Sequence, residues 1–351
     1  MASTDDEQFA YAMQLVTSTS LSMVLVNVMK LKVFETIAED GLDARLSAHE
    51  IVARLSISNP KAPHMLDRML RLLASHSIVT CTQQDHELGV VRAYGLSPVA
   101  KYFIPNKDGV SLCALMELCQ DKVFIDSWFK LKDSVLEGSV PFDMVHGTHA
   151  FQYPALDARF NKVFNNAMVN HTTIVMNKIL ECYRGFDNIK HVVDVGGGLG
   201  VNLNIIISKY PSIKGINFDL PHVTRHAPIY PGIEHIGGDM FEEVPQSDVI
   251  FMKWILHDWS DDLCEKLLKN CYKALPNEGK LIVVESILPL FSNTNSSDKA
   301  TAQVDAYMMT QNPGGKERTK EEFLYLARSA GFTEIKMECF VCNLWVMEFY
   351  K

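Results

Sequence analysis

The stretch Asp194-Val195-Gly196-Gly197-Gly198-Leu199-Gly200 constrains this chain more than any other. It sits between a β-like run, His191 to Val195, and a helix-like run, Asn202 to Lys209. Glycines at a strand-to-helix turn let a ligand approach the backbone at the carboxyl end of a strand, which is where open α/β sheets bind ligands. The alternation continues through strands at Lys214 to Phe218, Val249 to Lys253 and Lys280 to Glu285, with a helix at Leu263 to Ala274. That order predicts an α/β fold with a mostly parallel, doubly wound sheet. Runs at Thr333 to Phe340 and Leu344 to Phe349 flank Cys342 and Asn343, a spacing that permits only an antiparallel hairpin.

The glycine pattern excludes one common cofactor. A dinucleotide fingerprint needs Gly or Ala at Val201 or Leu203, depending on the starting glycine, so a nicotinamide oxidoreductase is disfavoured. What remains is G-x-G-x-G preceded by an acid. Asp219 ends the next strand about 20 residues on, where a carboxylate accepts ribose hydroxyls. Asp239 follows Gly237-Gly238 at a third strand end, in reach of an adenine amine. Farther along, Val249 to Lys253 runs into Trp254-Ile255-Leu256-His257-Asp258-Trp259. A His between two tryptophans reads alone as a structural residue. Here Glu285 closes the next strand and Glu317 precedes a helix, so two acids are placed to hold one imidazole.

The first third is mainly helical. Gln8 to Met29 and Val33 to Ala38 carry apolar residues on more than one face, which predicts burial against another subunit or domain. Ser47 and Glu50 form a capping box, a helix with Met65, Leu66, Met69, Leu70 and Leu73 follows, and Ile78 to Thr80 and Val90 to Tyr94 read as a hairpin looped at Gln83, Gln84, Asp85 and His86. Helices followed by a hairpin describe a winged-helix module. With 42 acidic against 33 basic residues and a net charge of −9, the charge argues against nucleic acid as partner, and the module reads as a dimerisation device in preference to a DNA-binding regulator. The acidic start, Asp5, Asp6 and Glu7, has the wrong sign for a signal peptide, and Leu21 to Met29 is too short to span a membrane, so a cytoplasmic location is expected. The eight cysteines are scattered, and Cys339 and Cys342 in a strand would face opposite ways, so a redox or zinc pair is not expected there.

The chain resembles the plant type I S-adenosylmethionine-dependent O-methyltransferases of the caffeic acid O-methyltransferase group. The resemblance rests on Leu66-Asp67-Arg68-Met69-Leu70-Arg71-Leu72-Leu73, Val193 to Gly198, Ile216 to Val223, Gly237 to Phe241, Lys253-Trp254 with His257-Asp258-Trp259, and Pro313 to Thr319. It implies a winged-helix dimerisation domain at 1–110, a helical connector at 111–183 and a Rossmann-like methyltransferase domain at 184–351. It implies that Gly196, Asp219, Leu220, Asp239, Met240 and Lys253 contact S-adenosylmethionine, and that His257 is the base between Glu285 and Glu317. Substrate positions would be Leu118, Cys119 and Phe124, then Ala150 and Pro154, then Phe160, Phe164, Met168 and His171, and finally Asp258, Tyr307, Met308 and Asn312.

No metal is implied; a Mg²⁺-assisted alternative would draw on Asp258, Asp261 and Asp262, although the last two also read as first-turn acids of the helix after Ser260. The partners implied are a small phenol and a second copy of the chain. Departures from the group's pattern carry a further expectation. Cys119 replaces an Asn that can hydrogen-bond a ring hydroxyl, while Leu118, Phe124, Pro154 and Tyr307 replace Met, a smaller aliphatic, His and Ile. A larger fused or linked phenol is therefore expected in preference to caffeic acid.

Overall fold

The computed structural model describes residues 4–41, 43–86 and 89–351. They form two compact units, 1–121 and 122–351. The first holds α1 (Thr4–Val16), α2 (Thr19–Lys30), α3 (Val33–Ala38), β1 (Leu46–Ser47), α4 (Ala48–Arg54), α5 (Ala62–Ser75), β2 (Val79–His86), β3 (Gly89–Leu96) and α6 (Cys113–Cys119). Ser47 and Glu50 close the expected capping box at the start of α4. The core of this unit joins Leu25, Val28 and Phe34 to Ile51, Leu70 and Tyr94.

Two expectations are corrected here. The single run from Gln8 to Met29 is two helices, bent by 54° between Thr4–Val16 and Thr19–Lys30. Only α2 joins the core; α1 buries none of its residues. Gln83, Gln84, Asp85 and His86 are not a loop but the second half of β2, paired with Arg92, Val91, Val90 and Gly89 of β3. Backbone ladder pairing with β3 outweighs the weak strand preference of those polar residues. The turn itself falls outside the described residues. Among the described residues no single helix is long and apolar enough to cross a membrane; the bent α1–α2 pair passes on length and composition only, and the inner part of α2 is buried in the core just described.

The second unit opens with α7 (Lys122–Trp128), α8 (Leu131–Glu137), α9 (Pro141–His146) and the long α10 (Ala158–Cys182). Then follow β4 (His191–Val195), α11 (Val201–Lys209), β5 (Lys214–Asp219), α12 (Pro221–Thr224), β6 (Ile233–Gly237), β7 (Val249–Lys253), α13 (Asp261–Ala274) and β8 (Lys280–Glu285). The chain closes with β9 (Ile287–Leu288), α14 (Ser296–Gln311), β10 (Arg318–Thr319), α15 (Lys320–Ala330), β11 (Glu334–Val341) and β12 (Leu344–Tyr350). Seven strands make one sheet in the order β11-β12-β8-β7-β4-β5-β6. Strands β4 to β8 pair in parallel, while β11 and β12 pair antiparallel. Cys342 and Asn343 both take positive φ, 51° and 64°, as a two-residue hairpin turn requires.

One apolar core covers each face of the sheet. Leu267, Leu268 and Cys271 of α13 and Phe323 and Leu326 of α15 fill one, and Val175, Met176 and Ile179 of α10 with Leu203 and Ile206 of α11 fill the other. Because β4 lies between β7 and β5, the chain winds outward in both directions from it, and the carboxyl end of β4 opens at the switch point.

Candidate active site

At that switch point the glycine turn is held by side chains on three elements. Asn217 of β5 donates to the Gly198 carbonyl (2.9 Å), and Asn202 of α11 donates to Asp194 Oδ2 (3.1 Å). Gly197 has no room for a side chain: a Cβ there would strike Asn217 Oδ1 and lie 2.5 Å from Asp194 Oδ2. Gly198 is the reverse case, with φ +57° and nothing within 4 Å of where a Cβ would stand. The backbone is thus bare toward an open space. Asp219 ends β5 and accepts two backbone N–H groups, from Gly198 (2.8 Å) and Leu220 (2.7 Å), one on each oxygen. A carboxylate has about four lone-pair sites, so two remain for a ligand. Burial pushes Asp194 up to about 7 and raises Asp219 as well.

Asp239 follows β6 and caps the Phe241 N–H (2.8 Å), and Asn270 of α13 fixes the Met240 carbonyl (3.0 Å). Lys253, the last residue of β7, is buried with its ammonium 4.7 Å from the Trp254 ring. Burial pushes its pKa down to about 8, against the pull of Glu285, Asp194 and Asp258. Open space over a bare glycine, a pre-oriented carboxylate and a buried ammonium suit a ribose-bearing ligand with a charged tail. The residues present therefore fit S-adenosylmethionine.

Past Lys253 the backbone turns sharply, with Trp254 at φ +57°, into a 3-10 turn over Leu256–Asp258. His257 is buried there. Its Nδ1 lies 2.8 Å from Glu317 Oε1 and 4.0 Å from Glu285 Oε2, and its Nε2 lies 3.6 Å from Asp258 Oδ1. Glu285 is a scaffold as much as a neighbour, since its Oε1 accepts the N–H groups of Ile255 (2.9 Å) and Leu256 (2.8 Å). Burial alone would lower the His257 pKa. Asp258, Glu285 and Glu317 outweigh it, with the Glu317 hydrogen bond adding to their effect, and push His257 up to about 10. Burial pushes Asp258 up to about 7, opposed by the imidazole and by Asn312, whose amide donates to Asp258 Oδ1 (2.7 Å).

The turn that carries His257 is tied down by Arg318, which is fully buried. Its guanidinium donates to the Leu256 carbonyl (2.6 Å), the Trp259 carbonyl (2.8 Å) and Asp261 Oδ1 (2.7 and 2.9 Å). Lys316 N–H donates to the His257 carbonyl (2.9 Å), and Asp305 of α14 receives the Glu317 N–H (2.8 Å). Arg318 and Asp305 had no role in the sequence reading; Arg318 stood inside the quoted motif, while no signal marked Asp305. Asp261, one of the acids considered for Mg²⁺, is engaged by Arg318 and Lys316. Ser260 starts α13 with Asp261 and Asp262 in its first turn, as the helix reading expected. Donor atoms of His257, Glu285 and Glu317 do lie within 4.8 Å of one another, but in a hydrogen-bonded arrangement.

The expected substrate residues fall on both units. Leu118 and Cys119 are at the end of α6 in the first. In the second, Phe124 packs edge-on to Phe160 (5.5 Å), and Phe160 neighbours Phe164 (6.5 Å). Phe164 continues through Phe151 to Trp259 (6.5 and 5.7 Å), and Ala150 and Pro154 lie on the same connecting segment as Phe151. His171 stacks on Trp254 at 3.9 Å and 10°. Burial, with Lys253 and His257 adding, holds His171 well below its usual value, so it is neutral. Met168 precedes His171 by one helical turn of α10. Tyr307, one residue before Met308 on α14, meets the ring of Trp128 edge-on at 5.0 Å, and Asn312 caps that helix. Trp128, His149 and Phe151 were missed; His149 lies stacked 5.9 Å from Trp259.

Fold and site together define a group-transfer enzyme with a glycine-turn cofactor corner beside a carboxylate-flanked imidazole. Residues 128–333 match the O-methyltransferase domain, and residues 13–106 match the O-methyltransferase dimerisation domain. The chain is 58% identical to catechol O-methyltransferase 1 of Solanum lycopersicum, covering 99% of this chain and 96% of that one. It is 53% identical to caffeic acid 3-O-methyltransferase of Medicago sativa, over 99% and 95%. Human N-acetylserotonin methyltransferase, solved in complex with S-adenosylmethionine, shares the fold at a TM-score of 0.80 and 22% identity, over 100% and 99% of the two chains. The chain belongs to the O-methyltransferase family and is an S-adenosylmethionine-dependent enzyme.

Proposed function

We propose that this enzyme methylates a phenolic hydroxyl of a small aromatic compound, with His257 as the general base. S-adenosylmethionine supplies an electrophilic methyl group. Asp219 would accept hydrogen bonds from its ribose hydroxyls, Asp239 and Met240 would hold the adenine with Leu220 and Gly196, and Lys253 would hold its charged tail. Nδ1–H of His257 donates to Glu317 Oε1, which leaves Nε2 to face the phenol. Glu285 fixes the backbone of the turn and adds negative charge, as the acid of a hydrolase triad does for its imidazole.

The geometry around His257 carries this reading: its Nδ1 lies 2.8 Å from Glu317 Oε1, on a turn whose backbone is held by Glu285 and Arg318. An ordinary His near 6.5 is weaker than a phenolate by about 3.5 units, or roughly 5 kcal/mol. Three carboxylates around the buried imidazole raise its basicity toward that of a phenolate, which eases transfer from the phenol to the unprotonated imidazole. General-base assistance is then worth about 10² to 10⁴. The consequence is that the share of His257 free to accept a proton grows with pH, so turnover rises with pH.

The aromatic side chains from Phe124 to Trp259 suit a flat ring, and Cys119 in place of Asn favours a phenol larger than caffeic acid. The relatives that act on catechol and caffeic acid support the phenolic class. The first unit reads as a winged helix used for pairing, with the cytoplasm as the proposed location: α1 exposes Phe9, Tyr11, Leu15 and Val16, which supports a homodimer.

Incubation with S-adenosylmethionine and a panel of caffeic derivatives, flavonoids, coumarins and benzylisoquinoline-type alkaloids tests the proposal. A gain of one methyl mass on a larger phenol, unaffected by EDTA, is expected. No methyl gain on any phenol, or activity that EDTA removes and Mg²⁺ restores, contradicts it.

A further inference from the structure

Cys182, the last residue of α10, and Cys339 on β11 are 157 residues apart in sequence, yet their sulfurs lie 3.4 Å apart. A local irregularity brings them together. The register of β11 against β12 slips between Met337 and Cys339. Before the slip, Ile335 and Met337 pack on the core lined by α13 and α15; after it, Cys339 and Val341 pack on the core lined by α10. All four have odd numbers, so a regular strand would keep them on one face. The extra residue, Glu338, turns the strand over and delivers Cys339 to the end of α10.

We propose that Cys182 and Cys339 form a peroxide-responsive dithiol that closes to a disulfide and staples α10 to β11. Cys182 is exposed, Cys339 partly buried. A disulfide needs the sulfurs at about 2.05 Å, so closure requires a shift of about 1.4 Å. Burial, and then the hydrogen bond to Cys182, raise the Cys339 thiol, which makes the exposed Cys182 the sulfur that is oxidised first. Its thiolate attacks one peroxide oxygen; the O–O bond breaks, the second oxygen leaves as water, and Cys182 becomes a sulfenic acid. Cys339 then attacks that sulfur, the S–O bond breaks, a second water leaves and the S–S bond forms. Two thiols are oxidised by two electrons and one peroxide is reduced. The staple spans 157 residues of chain, so it restricts the unfolded state strongly. In a reducing compartment the pair stays open until peroxide is present.

Peptide mapping without reductant, on the full-length enzyme treated with hydrogen peroxide, tests the pair. The expected product joins the Cys182 and Cys339 peptides within one chain and raises Tm by about 5 °C, reversed by dithiothreitol. Cys182→Ser and Cys339→Ser abolish the linkage and the Tm rise, while Cys342→Ser keeps both. Cys182 linked to Cys342, links only between chains, or Cys182 overoxidised while Cys339 stays a free thiol overturns the proposal. These results are read from the unmutated protein and hold whether or not a variant folds.

Discussion

The cofactor corner and the base corner lie at neighbouring strand ends but are built by opposite means. Around Gly198 and Asp219 the backbone does the work: Asp219 accepts two N–H groups, and a glycine leaves space no side chain fills. Around His257 the work is done by side chains drawn from far along the chain, with Glu317 sixty positions away and Arg318 holding two carbonyls of the turn. A backbone-built site tolerates loss of one side chain with a local penalty. A side-chain-built site depends on each member, because removing one leaves others buried and unpaired.

The largest effect should come from Arg318→Ala. It removes the guanidinium hydrogen bonds to the Leu256 and Trp259 carbonyls and leaves Asp261 with Lys316 alone, and should cost about 2–4 kcal/mol of stability in a denaturant titration. A loss below about 1 kcal/mol would mean the 3-10 turn holds itself. Asp219→Ala should weaken S-adenosylmethionine binding by roughly tenfold to a hundredfold, the worth of hydrogen bonds to a charged acceptor, while kcat at saturation changes little. An unchanged Kd would remove Asp219 from the cofactor site.

Glu317→Gln is a smaller and sharper test. The fold raises His257 above its unfolded value near 6.5, so its protonation adds stability that is complete below about pH 6.5 and is lost as pH rises through about 10. Replacing Glu317 with a neutral amide removes one of the groups that raise it. The His257 titration, followed by imidazole NMR in the ligand-free enzyme, should move down by about one unit or more, and the rising limb of the pH–rate profile should move with it. A titration that stays put would assign the shift to Asp258 and Glu285.

The same contrast decides what the sequence revealed. Short-range features were legible: the glycine turn, Asp219 at its spacing, the Ser47 capping box and the Cys342-Asn343 hairpin are set by neighbours in the chain. The placement of His257 beside Glu317 was legible through the resemblance, but its upward pKa shift was not, since that needs three carboxylates converging in space. Arg318 sat unread within a quoted motif because only the folded turn shows which carbonyls it reaches. The extension of β2 through His86 and the reversal of β11 at Glu338 depend on partner strands, and residue pattern alone is silent on both. The sequence set Cys339 only against its near neighbour Cys342, and its approach to Cys182 is visible only in the fold.

The most direct test measures two quantities on one protein, His257→Ala: S-adenosylmethionine affinity by calorimetry and methyl transfer to the best phenol by mass. With the cofactor corner built from other residues, affinity should stay within about threefold while kcat falls by about 10² or more. Near-normal turnover in a correctly folded His257→Ala enzyme would contradict the account.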